Sequence, residues 1–162
     1  MKNKNLSFMT QAAMIAAIYV VLTYIFAPFS FGEVQVRISE ALTILPIFTP
    51  AAIPGLFVGC LIGNILGGAI LPDIVFGSIA TLIGAFFTWK LREQKPVVAT
   101  FPPIISNIII VPFVLRYGYG VTLPIPFMML TVGIGEVISC TVLGLIVYEA
   151  LKKYKSTLFR TA

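Results

Sequence analysis

The two uncharged stretches on either side of residues 31–46 constrain this chain more than any other feature. No Asp, Glu, Lys or Arg occurs between Lys4 and Glu33, or between Glu40 and Asp73. Only 10% of the 162 residues are charged and 59% are hydrophobic, whereas a soluble domain carries about 25% charged residues. Such a chain cannot cover its surface with polar groups, so lipid is its natural solvent. The expected fold class is an all-α membrane protein. A span needs about 20 residues, so the length allows six or seven crossings joined by short loops, and residues 1–162 are read as a single six-helix transmembrane substrate-binding domain.

The apolar segments set the spans: about Ala12–Ala27, Val36–Phe48, Ala52–Leu71, Ile74–Leu91, Val97–Leu115 and Pro126–Leu151. A cleaved signal peptide is the rival reading of the first, and Ile25 at the −3 position before Ala27 argues against it. The second is too short to cross about 30 Å of hydrocarbon and ends near Pro46 and Pro50. A broken helix of this kind is tolerated where it is packed in protein or lines a cavity. The third carries Gly55, Gly59, Gly63 and Gly67 at four-residue spacing, a face open to close approach by another helix. Asp73 is placed to cap the fourth.

With six crossings both termini share one side. That side carries Lys2, Lys4, Lys90, Arg92, Lys95, Lys152, Lys153, Lys155 and Arg160, nine of the eleven basic residues. The positive-inside rule puts both termini in the cytoplasm of a cell-membrane protein. It also accounts for the net charge of +5 without a nucleic-acid partner: the charges are topology signals that meet lipid headgroups.

The remaining polar residues then fall in the outer half. Glu33, Arg37 and Glu40 lie close enough to share one helical face if their stretch is helical. Glu33, Arg37, Asp73 and Arg116 sit near outer helix ends, Glu40 and Asn64 lie deeper, and Asn107 and Glu136 are near the midplane. A carboxylate at a helix centre costs about 2.5–3.5 kcal/mol on insertion scales. Glu136 must recover that by holding a ligand, by protonation, or by a bond to Asn107 or Arg116 that ties the bundle together. A polar outer half above a sealed inner half fits a capture protein better than a channel, which needs polar lining throughout. A carboxylate accepts two parallel N–H bonds from a guanine-type edge, or pairs with an ammonium, and asparagine amides match an amide-like ring edge. Phe31, Tyr117 and Tyr119 offer stacking faces.

Other features narrow the class. The chain has no histidine, which removes the commonest metal ligand and general base. Cys60 and Cys140 read as small buried side chains. No metal and no cofactor is expected. There is no phosphate-binding Gly-x-x-x-x-Gly-Lys-Ser/Thr loop and no nucleophile motif, so the chain is not read as an enzyme and uphill transport needs an ion gradient or a partner. Ala12, Ala13, Ala16 and Ala17 make two overlapping small-residue pairs on span one, suited to docking a helix of a partner or of this chain.

The run Phe31-Gly-Glu-Val-Gln-Val-Arg-Ile-Ser-Glu-Ala-Leu-Thr-Ile-Leu-Pro46 resembles the signature of the QueT family. The likeness continues through Pro54–Asn64 and Asp73–Leu82. These are queuosine precursor transporters, the substrate-binding S components of energy-coupling-factor (ECF) transporters. The resemblance implies a six-helix S-component bundle that captures a 7-deazaguanine, such as the 7-aminomethyl or 7-cyano precursor. It implies docking onto a transmembrane T component driven by two cytoplasmic ATPase subunits, with Ala12/Ala16 or Ala13/Ala17 as the contact strip. It places Gln35, Arg37, Asp73, Asn107 and Glu136 in or near the site. Glu40, Asn64 and Tyr117 join them as candidates, and Glu33–Arg37 would close over the ligand. An S component for another vitamin or nucleobase, or a stand-alone small-solute transporter, are the alternatives.

Overall fold

A computed structural model describes residues 4–30 and 36–159, and within these the side chains of 29 and 30 are left aside. Gln35, Glu33 and Phe31 therefore lie outside the described residues. The described chain is helical throughout. Six helical segments make the body: α1 (Lys4–Ile25), α2 (Ile38–Ile47), α3 (Ala52–Leu66), α4 (Leu71–Lys90), α5 (Pro96–Gly118) and α6 (Ile125–Lys152). Four of them, α1, α4, α5 and α6, are long and apolar enough to cross a membrane.

The other two are short for physical reasons. α2 is a 3₁₀ helix of ten residues, where runs beyond three or four are uncommon. It survives because the bundle surrounds it: every residue from Ser39 to Ile47 is buried, against α1, α3, α4 and α6. At about 2 Å of rise per residue it is only about 20 Å long. α3 stops at Leu66, five residues before the expected end. Gly67 closes the helix, and Gly68 follows at φ +76°, a conformation that costs a residue with a Cβ about 1–2 kcal/mol. Leu71, expected to end α3, instead opens α4. α1 starts earlier than its apolar run: its polar first turns from Lys4 are helical, and within them the Thr10 hydroxyl donates to the Leu6 carbonyl at 2.8 Å.

Local chemistry shapes the long helices too. Pro72 falls in the first turn of α4, where a missing N–H costs little. Asp73 is not the cap of α4. Ile70 holds that position, and Asp73 lies inside the first turn, buried. In α5, Pro112 removes a helical donor and the last turn, Val114–Gly118, relaxes to π geometry. α6 also widens to π geometry over Val137–Leu143, immediately after Glu136. Such insertions often occur where a helix presents a functional side chain.

The glycine stripe of α3 is filled by α1. A Cβ on Gly55 would sit 2.7 Å from the Ala12 carbonyl oxygen, and one on Gly59 would sit 2.8 Å from Tyr19 Cβ. These contacts run α1 and α3 in parallel. Gly84 of α4 similarly admits Pro103 of α5, whose Cα would lie 2.6 Å from an added Cβ. The described ends of the chain meet, since Gln11 donates its side-chain amide to the Leu158 carbonyl at 3.4 Å. Beside them Phe48 stacks between Tyr148 and Phe159 at 5.2 and 5.3 Å. This end also gathers Lys90, Arg92, Lys152 and Lys155, at or next to the ends of α4 and α6.

Candidate functional site

The opposite end and the middle of the bundle hold a buried polar network built on α2. The N-terminal Arg37 of this segment is extended, and its guanidinium meets Asp73 of α4 at 3.6 Å with both side chains buried. Tyr119, in the loop after α5, donates its hydroxyl to Asp73 at 2.9 Å. Burial and the Asp73 carboxylate both push the Tyr119 hydroxyl above the ordinary tyrosine range. Asn64 of α3 places its amide 3.4 Å from the Asp73 carbonyl and 3.6 Å from the Cys60 sulfur, so it ties the α3–α4 turn together.

One turn further in, Glu40 is fully buried. Tyr19 of α1 donates its hydroxyl to Glu40 Oε1, and the Thr81 hydroxyl of α4 lies 3.4 Å from the same oxygen. Glu40 Oε2 has no hydrogen-bond partner among the described residues. Across from it stands Glu136 of α6, whose Oε2 accepts from the Cys140 thiol at 3.2 Å. Asn107 of α5 lies within hydrogen-bonding reach of the same carboxylate. The donor atoms of Glu40, Glu136 and Cys140 all fall within 4.8 Å of one another. Two carboxylates at that separation repel by about 3 kcal/mol even at an effective dielectric of about 20. They can serve a cation or a set of N–H donors. The two acids come from different helices, and each helix is locally irregular at the acid: α2 is 3₁₀, and α6 turns to π geometry directly after Glu136.

The structure thus gathers Arg37, Glu40, Asn64, Asp73, Asn107 and Glu136 into one continuous buried network. It does not bring Tyr117 there. That ring is 78% exposed and stacks on Phe113 at a centroid distance of 6.5 Å. Tyr119, two residues on, is the tyrosine that reaches inward. Arg116 does not meet Glu136 either; its guanidinium donates to the Val121 carbonyl at 3.2 Å. Tyr19, Thr81 and Cys140 were not singled out by sequence reasoning. A lone tyrosine in an apolar span and a cysteine four residues after Glu136 were the available signals.

The alanines of α1 separate into two faces. Ala12 and Ala16 pack against Gly55 and Gly59, whereas Ala13 and Ala17 are exposed. Ala13 and Ala17 thus lie on the outer surface of α1, with Met9, Val21 and Tyr24 exposed on the same helix.

The profile of the QueT transporter family matches residues 9–153, almost the whole chain. The chain belongs to the QueT transporter family. A queuosine precursor transporter QueT of Lactococcus lactis subsp. cremoris is 33% identical over 84 residues, which cover 51% of this chain and 48% of that protein. The chain thus aligns with about half the length of this curated relative. No solved structure matches. Membership in the QueT transporter family, together with four membrane-length apolar helices, makes this a multi-pass membrane protein.

Proposed function

We propose that this chain is the substrate-capture subunit for uptake of a 7-deazaguanine queuosine precursor. The observation that carries the reading is the Glu40–Glu136 centre, with Asn107 beside it and the Arg37–Asp73–Tyr119 layer on one side. It is a polar cluster at the heart of an otherwise apolar helical bundle in a QueT-family chain. A site of this kind can read the donor-rich edge of a guanine-type ring through Glu136 and its amide-like face through Asn107. The substrate named for the Lactococcus relative agrees with this chemistry.

In this reading the bundle crosses the membrane six times, with α2 and α3 as its shortened members. Both termini lie in the cytoplasm, where the basic residues cluster. Substrate enters at the Tyr119 end, past the Arg37–Asp73 pair. The chain carries no nucleotide-binding loop, so the energy comes from partners: a T component docked on the Ala13/Ala17 face of α1, and two ATPase subunits behind it. The test is mass spectrometry of the ligand that copurifies with the protein, followed by calorimetric binding in detergent. A 7-deazaguanine should copurify, and Glu136→Gln should weaken its binding at least about tenfold, the loss of a charge-assisted bond. A different heterocycle in the mass spectrum, or full affinity in Glu136→Gln, would overturn the substrate or the role of Glu136 respectively.

A further inference from the structure

A groove runs along the outside of the bundle between α4 and α5. Its part nearest the end of α4 encloses about 410 Å³, with walls of Ile83, Phe87, Leu91, Pro102, Ile105 and Ile109, and Lys90 stands at its mouth. Phe87, Ile105 and Ile109 are each about half exposed. The Ser106 hydroxyl beside them is shared between the Ala80 and Pro103 carbonyls at 2.9 and 3.0 Å, so it asks nothing of an occupant. Ile109 also lines a second cavity of about 470 Å³ that reaches Pro72 and Tyr117. From Pro72 to Lys90 α4 rises about 27 Å, close to the hydrocarbon thickness of about 30 Å. The mouth is organised on one ring. The Lys90 ammonium lies 5.6 Å from the Trp89 centroid and 5.5 Å from that of Phe86, and the Arg92 guanidinium lies 4.6 Å from the Trp89 centroid. Arg92 also donates to the Trp89 carbonyl at 3.1 Å. Its acid is Glu93 at 3.7 Å, with a side chain 83% exposed and so screened by water. Lys90 has no ion-pair partner among the described residues.

We infer that this groove binds an anionic phospholipid of the surrounding bilayer, with an acyl chain along α4 and α5 and the phosphate held by Lys90 and Arg92. Two cations arranged on one aromatic ring at the mouth of an apolar groove match a phosphate joined to a hydrocarbon chain. A zwitterionic lipid fits less well, because its ammonium would face the same two cations. A docking helix is the poorer occupant. Helix contacts in lipid are built from Gly, Ala, Ser and Thr, whereas this groove presents Phe87, Leu91 and branched side chains. The inference requires only that the chain spans a membrane, so it stands apart from the identity of the transported solute.

Trp89, the only tryptophan, reports on this site directly. The full-length chain is reconstituted in phosphatidylcholine bilayers, and its fluorescence is followed as phosphatidylglycerol or phosphatidylcholine, brominated near the headgroup end of the acyl chains, replaces the unlabelled lipid. Bromine quenches the indole on contact. Phosphatidylglycerol should be preferred about fivefold if one cation acts and about 30-fold if both do. Lys90→Gln with Arg92→Gln should bring that ratio to about one. Lys152→Gln with Lys153→Gln removes the same charge from the end of α6 and should leave the ratio within about twofold of wild type. Equal wild-type affinity for the two lipids would overturn the inference. An equal loss in the α6 variant would overturn it too, by showing diffuse attraction to the basic end. Weak quenching by both lipids at full label would place another helix or a second copy of the chain over the groove, with the same result. The wild-type comparison decides the first question without any variant having to fold.

Discussion

Gly59 links the packing of the bundle to its polar centre, and Gly59→Ala tests that link. A Cβ at this position meets Tyr19 Cβ at 2.8 Å and the Ala16 Cα and carbonyl oxygen at 3.1 Å. Carbon atoms in ordinary contact lie about 3.5–4.0 Å apart, so α1 must withdraw by about 1 Å. The opposing atoms are backbone or the first side-chain carbon, so no flexible side-chain end can swing aside. Overpacking of this kind typically costs about 1–3 kcal/mol. About 2 kcal/mol lowers the folded-to-unfolded ratio roughly 30-fold. The same withdrawal moves the Tyr19 hydroxyl away from Glu40 Oε1, so the centre should lose ligand affinity alongside stability. Titration of the detergent-solubilised protein with sodium dodecyl sulfate, followed through the fluorescence of Trp89, the only tryptophan, measures the stability. Two controls bracket the result. At Gly63 the nearest atoms are side-chain atoms of Thr23 at 3.2–3.3 Å, so Gly63→Ala should cost less, below about 1 kcal/mol. At Gly68 a Cβ meets nothing, yet φ is +76°, so Gly68→Ala should cost about 1–2 kcal/mol of backbone strain and leave affinity unchanged. A Gly59→Ala protein within about 0.5 kcal/mol of the wild type, or one less perturbed than Gly63→Ala, refutes the close-packing argument.

Four other outcomes are expected. Asp73→Asn leaves the Arg37 guanidinium buried beside a neutral amide and should destabilise the fold by about 3 kcal/mol, with much of the loss recovered when Arg37 is also replaced by Met; a double-mutant cycle by the same titration measures the coupling, and additive costs would show that the pair does not interact. Tyr19→Phe removes the donor to Glu40 and should cost about 1.5–3 kcal/mol of stability, read in the same assay, with an unchanged midpoint counting against the bond. Tyr119→Phe should cost about 1 kcal/mol near neutral pH. Because the folded Tyr119 hydroxyl titrates higher than in the unfolded chain, its contribution is complete below about pH 10 and fades as pH rises through the folded value, so wild-type and variant stabilities should converge in alkali; a gap that widens with pH would contradict the Asp73 contact. Finally, Ala13→Trp with Ala17→Trp should leave ligand binding intact and abolish cellular uptake, whereas Ala16→Trp should prevent folding, since Ala16 faces Gly59; normal uptake by the first variant would move the docking face elsewhere.

The sequence alone carried the membrane class, because a charge-poor chain has few alternatives to lipid. It also carried the helical order and the identity of most polar residues in the network. Charged groups such as Arg37, Glu40 and Glu136 stand out in apolar spans because burying them is costly, and that cost is legible residue by residue. The four-residue glycine spacing marked a close helix contact for the same reason: a face without side chains admits another backbone. What the sequence did not contain was pairing. That Glu40 faces Glu136, ninety-six positions away, follows from α2 being threaded as a 3₁₀ segment through the centre and from α6 widening directly after its glutamate. Both features depend on the surrounding helices rather than on local propensity. Tertiary packing also decided which tyrosine turns inward, Tyr119 rather than Tyr117, and which alanines α1 spends on its own bundle. The pattern of small residues on α1 was symmetric between two faces. Only the position of α3 broke that symmetry, by covering Ala12 and Ala16 and leaving Ala13 and Ala17 outside.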